Sequence, residues 1–156
     1  MTDMNHLTED GSAHMVDIAS KQVTNRLAVA VADVALKAAT ADRLFGGDLP
    51  KGDALATIRI AAMQATKRTP DLIPLCHPIQ ISGVEVDIER TETGASITVS
   101  VKVEGKTGVE MEAMTGAAVG ALTLYDMVKG IDRSAEVVSV RLLEKHGGSS
   151  GDWIRG

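Results

Sequence analysis

Aromatic side chains are nearly absent: Phe45, Tyr125 and Trp153 are the only three in 156 residues. Single-stranded nucleic acid is held on aromatic platforms, so this scarcity argues against it as a partner. It also leaves the core to Ala, Val, Leu, Ile and Met, whose side chains suit close packing of helices on a sheet. Cys76 is the lone cysteine, which excludes an internal disulfide. Positive charge is not in excess either. Sixteen Lys and Arg face 21 Asp and Glu, and a net charge of −5 would repel a phosphate backbone. The longest uncharged stretch, Ala113 to Tyr125, has 13 residues, short of the roughly 20 that cross a bilayer. Residues 1–13 carry Asp3, Glu9 and Asp10 without an apolar centre, unlike a signal peptide. The expectation is a soluble cytoplasmic protein with neither nucleic acid nor membrane as partner.

What is present is ordinary for a folded chain: 44% apolar and 24% charged residues, too apolar for disorder. The length suits one domain able to bury its core without staples. We expect a flexible arm over 1–13, a single domain over 14–146 and a glycine-rich tail over 147–156. Residues 14–18 fit a short strand. Leu27, Val29, Val31 and Ala35 alternate as in a strand, with Asp33 the exception on that face. A short helix follows over 37–45, closed by Gly46-Gly47. A second helix opens at Asp53, a carboxylate suited to cap its first N–H groups, and ends before Thr69-Pro70.

The prolines of Asp71-Leu72-Ile73-Pro74-Leu75-Cys76-His77-Pro78 predict an ordered extended loop. Ile79 and Ile81 have one parity and Val84, Val86 and Ile88 the other, which predicts a bulge at Ser82-Gly83. Strict alternation from Ala95 to Val103 completes a hairpin. A long helix over 109–129 and a strand over 137–143 follow. This order predicts an α+β fold, an antiparallel sheet with helices packed on one face.

Three places could carry chemistry. Gly105-Lys106-Thr107 imitates a phosphate loop, but the glycine required five positions earlier is Ser100, and residues 101–104 continue the strand alternation. Cys76 and His77 are adjacent in an extended run, so their side chains diverge and a thiolate–imidazolium pair is disfavoured. Neither has a partner at metal-ligand spacing, whereas a rigid proline-flanked loop mounts a functional histidine well. On the long helix Met111, Thr115, Ala118, Leu122, Asp126 and Lys129 share a stripe. Asp126 and Lys129 are either a solvated surface pair or, because they continue an apolar stripe, a partly buried acid beside a base.

The blocks Asp71-Leu72-Ile73-Pro74-Leu75-Cys76-His77-Pro78, Lys106-Thr107-Gly108-Val109-Glu110-Met111-Glu112-Ala113 and Leu124-Tyr125-Asp126-Met127 resemble the cyclic pyranopterin monophosphate synthases of molybdenum cofactor biosynthesis. His14-Met15-Val16-Asp17, Lys51-Gly52-Asp53 and Lys67-Arg68-Thr69 fit as well. The resemblance covers about residues 11–152. It implies a ferredoxin-like subunit in a homohexamer, a trimer of dimers. It also implies conversion of (8S)-3′,8-cyclo-7,8-dihydroguanosine 5′-triphosphate to cyclic pyranopterin monophosphate and pyrophosphate.

The resemblance further implies that Asp126, Lys129 and Lys51 are catalytic. Leu75, Cys76, His77, Met111 and Glu112 would contact substrate, and Arg26, Lys67, Arg68 and Lys145 would bind phosphate or complete the site. No cofactor and no protein-bound metal are implied; Mg²⁺ accompanying the triphosphate stays open. The family tail usually reads Gly-Gly-Lys-Ser-Gly, and here Ser149 replaces the lysine. Helix geometry adds that Met111 and Lys129, 18 residues apart, are separated by roughly 27 Å. One ligand can meet both ends only if two subunits share each site. A non-catalytic ligand-binding module is the alternative from another class, and pyrophosphate release distinguishes the two.

Overall fold

The computed structural model describes residues 7–156. Nine elements follow in chain order: β1 (Thr24–Ala35), α1 (Ala38–Gly46), α2 (Ala54–Lys67), α3 (Thr69–Leu72), β2 (Gly83–Thr91), β3 (Gly94–Gly105), α4 (Glu110–Val128), β4 (Glu136–His146) and β5 (Trp153–Ile154). The strands form one antiparallel sheet in the order β2-β3-β1-β4-β5. The first four strands, with α2 and α4 as crossovers, make the βαββαβ arrangement of ferredoxin-like folds. The expected α+β class is therefore what the chain adopts.

The alternation in β1 marks a strand, but the other parity faces the helices. Ala28, Ala30, Ala32 and Val34 are buried to within 1% and join the core, together with Ile97, Val99 and Val101 from β3. Leu27 and Val29 are only half-buried on the opposite, helix-free face. Asp33 stands out in that row because it is bound there by Arg141 and Ser139 of β4. Small residues on the inner parity let α4 come close. Gly116 and Gly120 of α4 meet Val99 and Ile97 on the sheet side and Ala62 of α2 on the other. A Cβ on Gly116 would lie 2.8 Å from the Thr66 methyl and 3.1 Å from Val99. Gly116→Ala should therefore destabilise the fold by about 1–3 kcal/mol through overpacking, measurable as a lower midpoint in urea.

Several local expectations change. Residues 14–18 join no strand; the isolated bridge of this region lies earlier, between Leu7 and Ala13. Of the N-terminal arm, residues 1–6 lie outside the described part, and Thr8–Ser12 form a side-chain-bonded turn. Thr69-Pro70-Asp71-Leu72 is a single helical turn, not extended chain: Pro70 sits where the first turn has no N–H to lose. No bulge interrupts β2, because Ile79 and Ile81 precede it and pairing begins at Gly83, with the Ser82 N–H on the Lys102 carbonyl just before. The tail also folds back, placing Trp153 and Ile154 beside Lys145 and Glu144. The cap on α2 is as expected, Asp53 accepting from the Ala56 N–H at 3.0 Å. No helix among the described residues is long and apolar enough to cross a membrane.

Candidate active site

Two clusters of functional side chains lie at opposite ends of α4. At its N-terminal end is a cleft of about 400 Å³. Leu75, Cys76 and His77 form one wall, Thr107 and Gly108 of the β3–α4 turn another, and Met111 and Glu112 the first turn of α4. Val16, Ile18 and Lys21 close it from the N-terminal segment. That segment is pinned from both sides. His77 Nε2 lies 2.7 Å from the Val16 carbonyl oxygen, and Lys106 Nζ donates to the Ala19 carbonyl at 2.6 Å. A carbonyl can only accept, so Nε2 carries the proton and Nδ1 is left as the basic nitrogen.

Glu112 is 2% exposed. Burial pushes its carboxyl up to about 7, against the pull of its own backbone N–H and with a small push from Glu110. Burial likewise raises the Cys76 thiol, and the Glu112 charge adds to it. Cys76 is thus a neutral thiol near pH 7 and no nucleophile, while Glu112 is poised to give or take a proton there. The Glu112 shift has a consequence for stability. Its folded pKa exceeds the ordinary 4.5, so its stabilising contribution is complete below pH 4.5 and disappears as pH rises through about 7. Glu112→Gln cannot ionise. Relative to it, the wild type should lose on the order of 3 kcal/mol between pH 4.5 and pH 8, read from urea melts of both proteins.

A second depression of about 150 Å³ is walled by Arg26, Lys106, Lys145, His146, Ser149 and Ser150. It shares Lys21, Thr107, Gly108 and Glu110 with the first, so the two make one trough. Arg26 is fixed by its Nε on the Gly105 carbonyl, and Lys145 by a contact with the Ser150 hydroxyl. The N-terminus of α4 opens on the same trough without a side-chain cap. The dipole of α4 adds positive potential to that of the cations, partly offset by the Glu110 carboxylate that also lines both depressions.

At the C-terminal end of α4, Asp126 is gripped by two ammonium groups. Lys129 Nζ lies 2.7 Å from Oδ1 and Lys51 Nζ 2.7 Å from Oδ2, while Lys51 also donates to the Asp126 carbonyl at 2.7 Å. The hydrogen bond from Lys129, followed by that from Lys51, holds the Asp126 carboxyl down to about 2, and the same contact raises Lys129. The expectation of a partly buried pair does not hold in the single chain, since Asp126 and Lys129 are both about half exposed (52% and 51%). The C-terminal part of their stripe faces outward, Leu122 being 61% exposed, although Thr115 nearer its start is buried; Ala113, Ala117, Ala121 and Leu124 turn to the core.

The trough thus brings together Leu75, Cys76, His77, Met111, Glu112, Arg26 and Lys145. Lys51, Asp126 and Lys129 form the separate cluster, and the exposed Lys67 and Arg68 at the end of α2 line neither depression. Lys21, Thr107 and Glu110 also line the trough, though nothing in the residue pattern alone assigns them to the site. The Lys106-Thr107-Gly108 block was the nearest signal, since a glycine turn opening a helix places whatever flanks it at that helix's N-terminus. Among the described residues no three of His, Cys, Asp and Glu gather as a metal site.

Comparison with known proteins finds relatives of this chain. A profile of the MoaC family matches residues 15–148. The chain is 50% identical over 153 residues to the cyclic pyranopterin monophosphate synthase of Corynebacterium efficiens, covering 98% of this chain and 99% of that one. The synthase of the same name from a Roseiflexus species is 50% identical over 156 residues, covering 99% of both. That of Streptomyces griseus is 51% identical over 152 residues, 97% of this chain and 86% of the relative.

Proposed function

The chain belongs to the MoaC family, and from that premise we propose that it makes cyclic pyranopterin monophosphate in molybdenum cofactor biosynthesis. The substrate is 3′,8-cyclo-7,8-dihydro-GTP and the second product is pyrophosphate. The observation that carries this reading is the trough. Lys21, Arg26 and Lys145, brought from three separate segments, converge beside an uncapped helix N-terminus. That groove, in which the cations outnumber the one carboxylate of Glu110, runs into a pocket holding a basic imidazole nitrogen and a carboxyl near neutrality. A triphosphate suits the first part and a heterocycle the second.

The reaction needs two things of the protein. Expulsion of pyrophosphate by a hydroxyl attacking the α-phosphate needs cations on the developing charge. Lys21, Arg26 and Lys145 supply them, and any divalent ion enters with the triphosphate as part of the substrate. Opening the imidazole part of the base and closing the pterin needs protons moved on and off nitrogen. Asp126, Lys129 and Lys51 are assigned these transfers, while Glu112 and His77 hold the heterocycle. Desolvation of an ammonium by bound substrate lowers its pKa toward the working range.

Each site is shared between protomers of a cytoplasmic homohexamer built from three dimers. The two clusters stand at opposite ends of α4, which at 19 residues is roughly 28 Å long. Both lie along its outer stripe, whose middle is the exposed Leu122. Two copies of α4 packed antiparallel by their outer stripes would cover Leu122 and bring Met111 of each protomer beside the other's Lys129. Incubating the purified protein with the cyclised triphosphate tests the function directly. Equimolar pyrophosphate and cyclic pyranopterin monophosphate are expected, and substrate binding with no turnover would overturn the reading in favour of a ligand-binding module.

A further inference from the structure

Asp132 is charged, 1% exposed and absent from both clusters. It lies three residues beyond Lys129 in the turn that follows α4, its N–H on the Val128 carbonyl. Its side chain reaches across 95 residues of sequence to α1. Oδ2 accepts from the Lys37 backbone N–H at 3.1 Å and from the Thr40 hydroxyl at 3.0 Å. Oδ1 accepts from the Ser134 hydroxyl at 2.6 Å and the Ser134 N–H at 3.2 Å, with the Lys37 ammonium 3.7 Å away. Lys37 is the N-cap of α1 and supplies no cap of its own. Asp132 therefore anchors the N-cap residue and first turn of α1, and α1 leads through the buried Leu49 to Lys51. One buried carboxylate bolts together the two segments that deliver the ammonium groups to Asp126.

We propose that Asp132 is a positioning residue for the reaction: it fixes Lys51 and Lys129 relative to each other across Asp126 by tying the end of α4 to the start of α1. The inference rests on the catalytic reading of Lys51 and Lys129. Without this tie the last turn of α4 and the loop before α2 move independently, and two ammonium groups no longer converge on one carboxylate. A misplacement of about 1 Å is enough to lower turnover up to 100-fold.

The test compares D132A, D132N and T40V with V101A, a core truncation in β3 that lowers stability without touching the frame. D132A should lower kcat at least tenfold with KM changed less than about threefold, the signature of a lost transition-state arrangement. D132N keeps a side-chain oxygen for the Lys37 N–H and should recover most of kcat. T40V, which removes one hydroxyl, should lose kcat about two- to fivefold and serves if D132A does not fold. A crystal structure of D132A gives a readout independent of activity: the Lys51 ammonium should leave the Asp126 carboxylate, which it meets at 2.7 Å in the wild type. Wild-type kcat per folded molecule in D132A and T40V, or an equal kcat loss in V101A at matched melting temperature, overturns the proposal. Normal turnover in K51A and K129A would instead overturn the catalytic reading, leaving the Lys51–Asp126 distance in D132A to decide whether Asp132 holds the frame.

Discussion

Replacing Lys51 or Lys129 with alanine should leave a folded protein that forms cyclic pyranopterin monophosphate at least about 100-fold more slowly, since a positioned acid or base contributes ~10²–10⁴ in rate. Stability should hardly change. Both ammonium groups are about half exposed, at 43% and 51%, and exposed ion pairs contribute little to folding. The two effects separate because Asp126 is over-provided for in the resting chain. With its carboxyl held down to about 2 by Lys129 and Lys51 together, either lysine alone keeps it ionised and in place. Substrate, in contrast, can receive a proton only from the ammonium that reaches it. Single-turnover product formation alongside thermal melts checks this. Near-normal turnover by either variant removes that lysine from the chemistry.

The second large effect concerns sharing. Glu112→Gln damages the N-terminal end of α4 and Lys129→Ala the C-terminal end. In a shared site, a dimer with one subunit of each kind contains one site with both lesions and one with neither. Random exchange makes half the dimers mixed, so about a quarter of wild-type activity should return from two inactive stocks. A site contained in one subunit would give no recovery at all. The measurement is pyrophosphate release after denaturing and refolding the variants together, with each refolded alone as control. Absence of recovery, with mixed dimers verified by mass spectrometry, rejects the shared site.

Much of this was legible in the residues. Period-two alternation marks β1 and β3, the Asp53 cap and Thr69-Pro70 bound α2, and the βαββαβ order follows from their succession. The blocks at 71–78 and 106–113 name the residues that line the cleft. Burial was less legible. Leu27 and Val29 outweigh Ala28 and Ala30 in apolar bulk, yet the alanines face the core. Closeness of helix to sheet was the deciding factor there, and hydropathy does not report it. The stripe of α4 that carries Asp126 and Lys129 shows the same effect: its bulky Leu122 is exposed, while Gly116 and Gly120 lie against the sheet.

By itself the sequence determined the order of the main strands and helices, the Asp53 cap of α2, and the membership of this chain in its family, because these depend on local backbone preference and on matching runs of residues. Only the tertiary structure decided that Lys21, Arg26 and Lys145 line one trough, that Glu112 is buried deeply enough to titrate near 7, and that Asp132 reaches α1. Those facts depend on distances between segments far apart in the chain. They are set by how closely small side chains allow helices and strands to approach, and no local pattern encodes them.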